Sequence, residues 1–158
     1  MADAIGMLTS ADLSFYQDVT RSREGMEARC IATVGMTNAL RIGDPPTQVE
    51  HAGTINLLCA VSVPLSLPAL VEALSLAVEA RTVAVLDEGL QSIQSGFPAT
   101  GTGTDCVVIA SPEEISAAQI NYAGKHTVLG SVIGEAVYEA VKSGLKIWKE
   151  RLAEKAMV

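Results

Sequence analysis

A run of 21 residues without a single Asp, Glu, Lys or Arg, from 51 to 71, constrains the fold most. Such a run is long enough to test as a membrane span, but Asn56, Pro64 and Pro68 interrupt it. The residues just before Pro64 are nearly all apolar, which is typical of a strand buried on both faces. We therefore predict a buried strand over residues 54–63 and a helix that begins soon after it.

Hydrophobic periodicity predicts two long helices. The first runs from about 66 to about 88, with Ser66 as its N-cap. The second covers 128–141, where apolar residues recur every three or four positions, and it resumes beyond that range. Gly130 and Gly134 lie four residues apart in the second helix, so its backbone can approach a neighbour closely.

Two runs rich in β-branched residues predict strands over 27–34 and 106–110. The polar N-terminal region predicts at most one or two helical turns near 10–19, capped by Ser10. Together these elements predict an α/β or α+β fold class, a single-domain sandwich over residues 1–158 in which one β-sheet is packed by two long helices. Because three strands are few for a stable sheet, either the polar segments hide another strand or a second chain completes the sheet.

The charge distribution excludes several classes of partner. Residues 142–158 carry five basic and two acidic side chains, whereas the rest of the chain carries six basic and sixteen acidic ones. An acidic body lacks the basic stripe that nucleic acids require, and a basic helix end opposes the helix dipole. The N-terminus lacks the basic segment of a signal peptide, and the three cysteines show no paired spacing. We therefore expect a cytoplasmic protein with free thiols and with neither nucleic acid nor membrane as partner.

A run of alternating glycine and threonine is the first candidate for chemistry. It consists of Thr100, Gly101, Thr102, Gly103 and Thr104. Glycines let a backbone approach a ligand and threonine hydroxyls add donors and acceptors, so the run is either a binding loop or an ordinary turn. Asp105, which follows, is either a general base or a cap for the loop amides. Cys106 is expected to be a small core residue rather than a nucleophile.

Two other polar clusters are candidates. Lys125 and His126 precede the last helix, whose N-terminus favours anions, so they could hold a carboxylate or an oxyanion; the alternative is an exposed capping segment. Asn38, Arg41 and Asp44 occupy a loop and could line a pocket, whereas an Arg–Asp salt bridge within the loop is the structural alternative. No metal-site motif occurs, so no metal is predicted.

Four blocks occur in an order and spacing that resemble a known family. They are TVGMTNALRIGDP (33–45), GTINLL (53–58), ATGTGTDC (99–106) and YAGKHTVLGSVIGEAVYEAV (122–141). Together they resemble the adenosylcobinamide amidohydrolase (CbiZ) family. The resemblance extends from about Met7 to about Leu145.

The resemblance implies hydrolysis of the amide that joins the propionyl side chain of a corrin ring to aminopropanol. The products would be adenosylcobyric acid and 1-amino-2-propanol, a step of corrinoid salvage. The substrate brings its own cobalt, so no further cofactor is implied. We assign candidate roles accordingly: His126 or Asp105 would activate a water or Thr104, and Lys125 with loop amides would bind the oxyanion. The corrin periphery, which is rimmed by amides, would be bound by Asn38, Arg41, Asp44, Thr100, Gly101, Thr102 and Gly103.

Members of that family usually carry a further N-terminal portion that includes strands, and we expect this chain to lack it. A homo-oligomer, or a partner that supplies the missing portion, would then complete the protein. Two alternatives stay open: a non-catalytic corrinoid-binding module, or one subunit of a split enzyme. A third treats the glycine–threonine run as a phosphate site in an unrelated enzyme.

Overall fold

A computed structural model describes residues 5–46, 48, 53–113 and 119–157 of the chain. Its strands are β1 (Gln17–Arg23), β2 (Met26–Val34), β3 (Ala39–Leu40), β4 (Ile55–Val61), β5 (Gly101–Thr102) and β6 (Cys106–Ala110). Its α-helices are α1 (Leu67–Asp87) and α2 (Val128–Ala156), and a short 3-10 helix covers Leu13–Phe15.

The main sheet has four strands in the order β1-β2-β4-β6. The β1–β2 and β2–β4 pairs are antiparallel, whereas β4 and β6 are parallel. Strands β3 and β5 form a separate two-stranded sheet. The predicted fold class, one sheet packed by two long helices, is confirmed.

Both helices pack on one face of the main sheet, α2 against β1 and β2 and α1 against β6 and α2. The buried stripe of α1 is mostly alanine, which lets the helix approach its neighbours closely: Ala69, Ala73, Ala77, Ala80 and Ala84. The predicted N-cap is correct, since the Ser66 side chain accepts a hydrogen bond from the Ala69 N–H. In the described part of the chain, neither helix is both long and apolar enough to cross a membrane.

The N-terminal region differs from the prediction. The helical turn expected near 10–19 is present as the 3-10 helix Leu13–Phe15, but Asp12 rather than Ser10 caps it, and β1 begins at Gln17. The sequence hides β1 because only one of its helix-facing side chains, Val19, is apolar; Arg21 and Arg23 on the same face pair with glutamates of α2. The fourth strand of the sheet therefore comes from this chain itself.

Candidate active site

The segments that precede β4 and β6 meet at one edge of the sheet. Because these strands are parallel, their amino ends lie side by side. The Thr104 hydroxyl donates to the Gly53 carbonyl at 3.0 Å, and the Thr54 hydroxyl donates to the Thr104 carbonyl at 3.2 Å. The two hydroxyls also contact each other directly. The glycine–threonine loop is thus held against the start of β4, where we place the amino-edge site.

The loop that contains Asn38 adds a buried amide to this edge. A Cβ on Gly53 would lie 2.8 Å from Asn38 Oδ1 and would also meet the Thr37 side chain, so only glycine fits here. Asn38 is 2% exposed, and within the described part of the chain neither its oxygen nor its nitrogen has a hydrogen-bond partner. An unpaired buried polar group costs roughly 1–3 kcal/mol, so this amide is a strong candidate for ligand binding.

Both carboxylate oxygens of Asp105 have two polar partners each. Its Oδ1 accepts from the Ile55 N–H at 3.0 Å and from the Thr102 hydroxyl at 2.5 Å. Its Oδ2 accepts from the Thr102 N–H at 2.9 Å and pairs with Arg81 of α1. A carboxylate has about four acceptor positions, so the geometry favours the capping alternative over a general base.

Arg81 joins this carboxylate from the helix layer. The two side chains are only 11% and 9% exposed, and burial lowers the pKa of the Arg81 guanidinium. A Cβ on Gly101 would meet both Arg81 and the Asp105 carboxylate. The ion pair therefore fixes the glycine–threonine loop in position, and Gly101 provides the room for it.

A cavity of about 610 Å³ opens beside the Thr54–Thr104 pair. Its wall consists of Gly6, Met7, Leu8, Thr9, Ser10, Gly53, Thr54, Asn56, Thr104 and Cys106. The expectation that Cys106 is a core residue is wrong: its side chain is half-buried and lines this cavity. Cys106 pairs in register with Asn56, so both side chains lie on the sheet face opposite the helices. The alternation of side chains along the strand 106–110 was the signal that could have predicted this orientation of Cys106.

Arg41 and Asp44 hold the small sheet together. The Asp44 carboxylate accepts from the Ser92 hydroxyl at 2.5 Å and from the Arg41 N–H at 2.8 Å, and these hydrogen bonds, Ser92 first, lower the pKa of Asp44. The Arg41 guanidinium donates to the Pro98 carbonyl at 2.8 Å. The predicted alternative, a salt bridge between the Arg41 and Asp44 side chains, is therefore wrong: Asp44 binds the Arg41 backbone N–H, and the Arg41 guanidinium binds the Pro98 carbonyl. Thr100 belongs to the same framework, because its hydroxyl accepts from the Ile42 N–H at 2.8 Å.

Lys125 and His126 lie apart from this edge. Lys125 forms an exposed ion pair with Glu79 of α1, and His126 is exposed. At about 100° per residue, Glu79 and Arg81 project from opposite flanks of the buried stripe of α1. The structure therefore does not bring Lys125 together with Asp105. The N-cap of α2 is Thr127, whose hydroxyl accepts from the Gly130 N–H at 2.9 Å.

The chain is similar in sequence to one known protein family and to two individual proteins. A model of the family CbiZ, described as adenosylcobinamide amidohydrolase, matches residues 1–153. The chain belongs to this family. It is 29% identical over 151 residues to the adenosylcobinamide amidohydrolase of Methanosarcina mazei, an alignment that covers 91% of this chain and 67% of the relative. An uncharacterized protein of Methanocaldococcus jannaschii is 31% identical over 97 residues, covering 61% of this chain and 37% of that protein.

The alignments thus cover about two thirds of the Methanosarcina mazei relative and just over a third of the Methanocaldococcus jannaschii protein. No solved structure matches it. Of the four CbiZ-like blocks in the sequence, the three within 33–45, 53–58 and 99–106 meet at the amino-edge site. The fourth, 122–141, forms most of the first half of α2 and the segment before it.

Proposed function

We propose that this chain hydrolyses the amide between the corrin propionyl side chain and aminopropanol in adenosylcobinamide. Water enters at the acyl carbon, the C–N bond breaks, and adenosylcobyric acid and 1-amino-2-propanol leave. The observation that carries the proposal is that two CbiZ-like blocks, 53–58 and 99–106, line one cavity and a third, 33–45, packs behind Gly53, in a chain whose family match spans residues 1–153.

The chemistry of the site suits an amide substrate. The buried Asn38 amide offers one donor group and one acceptor with no partner in the described part of the chain. The Thr54 and Thr104 hydroxyls line the cavity, whereas Asn38 lies behind the cavity wall, next to Gly53. Neutral donors and acceptors of this kind pair with the neutral amides that rim a corrin ring. We therefore propose that Asn38 and residues 100–104 bind this periphery, with Arg41 and Asp44 supporting the loops.

We assign substrate contact at the scissile amide to Thr104. Its hydroxyl lies in the cavity wall and already donates to a carbonyl, that of Gly53. Because a hydroxyl has a single proton, it would have to turn away from Gly53 to donate to a substrate carbonyl; as it stands, its oxygen can serve as the nucleophile. The Cys106 thiol lines the same cavity and is the second candidate nucleophile. In this proposal Asp105 acts through the loop that it holds, and Lys125 and His126 take no part at the cavity.

A second function has one observation in its favour. Among the described residues that line the cavity there is no carboxylate and no imidazole. Amide hydrolysis gains much of its rate from such groups, whereas corrinoid binding needs neither. The alternative is a non-catalytic corrinoid-binding module, or a subunit whose partner brings the base.

One incubation distinguishes the two. The purified chain is mixed with adenosylcobinamide, and mass spectrometry follows adenosylcobyric acid while equilibrium dialysis follows bound corrinoid. Product that disappears in Thr104→Val but persists in Cys106→Ala supports the amidohydrolase with Thr104 in contact with substrate. The opposite pattern assigns the nucleophile to Cys106. Binding without product supports the binding module, and neither binding nor product contradicts both.

A further inference from the structure

One side of the molecule is unusually apolar. Helix α1 carries a second apolar stripe, opposite its buried alanines, which we call the outer stripe. Its members are Leu67, Val71, Leu74 and Val78, which are 74%, 60%, 41% and 36% exposed. A contiguous apolar patch exposed on the surface of a protein usually marks an interaction site. The outer stripe therefore indicates a surface that is buried against something else.

The spacing within the outer stripe points to a second helix as that partner. Its members follow each other at intervals of four, three and four residues, which is the seam of helices that pack side by side. The single charge within residues 67–78 is Glu72, and this carboxylate turns away to accept from the Ala123 N–H at 2.7 Å. The seam is thus free of charge, and two copies of it can meet without repulsion even though the chain carries a net charge of −7.

Among the described residues, the edge of the main sheet on the same side also lacks a pairing strand. In the described part of the chain, β6 pairs with β4 alone, and its sequence CVVIA carries no charge. Native edges are usually blunted by charges or proline, and the opposite edge, β1, follows that rule with Asp18, Arg21 and Arg23. At about 100° per residue, the outer stripe lies beside Arg81 on the surface of α1. Arg81 pairs with Asp105, the residue before β6, so the outer stripe and the β6 edge lie on the same side of the molecule.

We propose that this side binds a second copy of the chain. A two-fold axis beside β6 would pair the two β6 strands antiparallel and extend the sheet to eight strands. Strands pair at about 4.8 Å and helices pack at about 8–10 Å. Since α1 packs over β6, both contacts fit the same axis, with the outer stripe of one α1 against that of its partner. Such an interface is isologous and closed, so it stops at a dimer.

Sedimentation velocity over a concentration series tests the proposal, with Val71→Lys/Leu74→Lys as the interface variant. Ile93→Lys is the matched control, because Ile93 is 65% exposed and lies outside α1. The unchanged chain and the control should sediment at twice the 16.5 kDa chain mass, and the interface variant at half that value. Far-ultraviolet circular dichroism verifies that all three remain folded, as expected for substitutions at exposed positions.

Two results would overturn the proposal: a monomer at every concentration of the unchanged chain, or a dimer that survives in the interface variant. Hydrogen exchange tests the contribution of the strand separately. The β6 amides that point away from β4 should exchange more slowly in the unchanged chain than in the interface variant. Equal exchange would remove β6 from the interface.

Discussion

Asp105 and Asn38 are both polar candidate site residues in the sequence, yet the structure gives them opposite environments. The carboxylate of Asp105 has four hydrogen-bond or ion-pair partners, whereas the Asn38 amide has none in the described part of the chain. A saturated group stabilises the loop around it, and an unsatisfied buried group is available to a ligand. Residue type and spacing could not separate these roles, because both depend on neighbours that are distant in sequence.

Replacing Asp105 by Asn should lower the free energy of unfolding by about 3 kcal/mol, because Arg81 stays buried without its counter-ion. Urea unfolding measures this as a lower midpoint with an unchanged slope. Asp18→Asn is the control: its pair with Arg29 is largely exposed, so the midpoint should shift far less than in Asp105→Asn. Equal losses in the two variants would show that the Arg81–Asp105 pair is not special.

The three cysteines should differ sharply in reactivity. Burial raises the pKa of Cys59 to about 12 and raises that of Cys30 as well, so at neutral pH both remain thiols, which react poorly. A disulfide reagent should therefore label one thiol rapidly in the native protein and all three in denaturant. Cys106→Ser should abolish the rapid phase. Rapid labelling that persists in that variant would contradict the burial of the other two.

At the scale of elements, hydrophobic periodicity predicted the helices and strands whose apolar residues face the core. β2, β4, β6 and α1 were all expected close to their observed bounds, whereas α2 was expected to stop near 141 and resume past Gly144 but runs unbroken from Val128 to Ala156. β1 was missed because most of its inward contacts are ion pairs, such as Arg23 with Glu135 at 2.9 Å, and a single inward apolar residue, Val19, makes no detectable alternation. Strands β3 and β5 are two residues each and depend on pairing across about 60 positions of sequence.

The glycine pair in α2 gives a matched test. A Cβ on Gly130 would lie 2.6 Å from the Ala123 carbonyl oxygen and still closer to that of Gly124, whereas one on Gly134 would meet open space. The close approach predicted from the pair therefore holds for Gly130 and is wrong for Gly134. Gly130→Ala should destabilise the fold by about 1–3 kcal/mol, and Gly134→Ala should stabilise it by about 0.5–1 kcal/mol. Thermal unfolding should shift in opposite directions, and a common direction would refute the packing described.

At the scale of the whole molecule, the site is an edge of the sheet rather than a segment of sequence. The blocks that form it are brought together by the parallel pairing of β4 and β6, a contact between residues about 50 positions apart. Sequence reasoning identified the blocks and could not decide which of them share an edge. It therefore grouped Lys125 and His126 with Thr104, whereas the topology places them on another flank of α1.

The most direct test of this account compares Thr104→Val with His126→Ala in one assay of adenosylcobyric acid release. If the amino-edge site performs the reaction, kcat/KM should fall by roughly 100-fold or more in Thr104→Val, the scale of a lost catalytic contact. It should stay within about twofold in His126→Ala, because an exposed side chain away from the cavity contributes little. A large loss in His126→Ala with Thr104→Val unaffected would place the chemistry at the start of α2 and contradict the account.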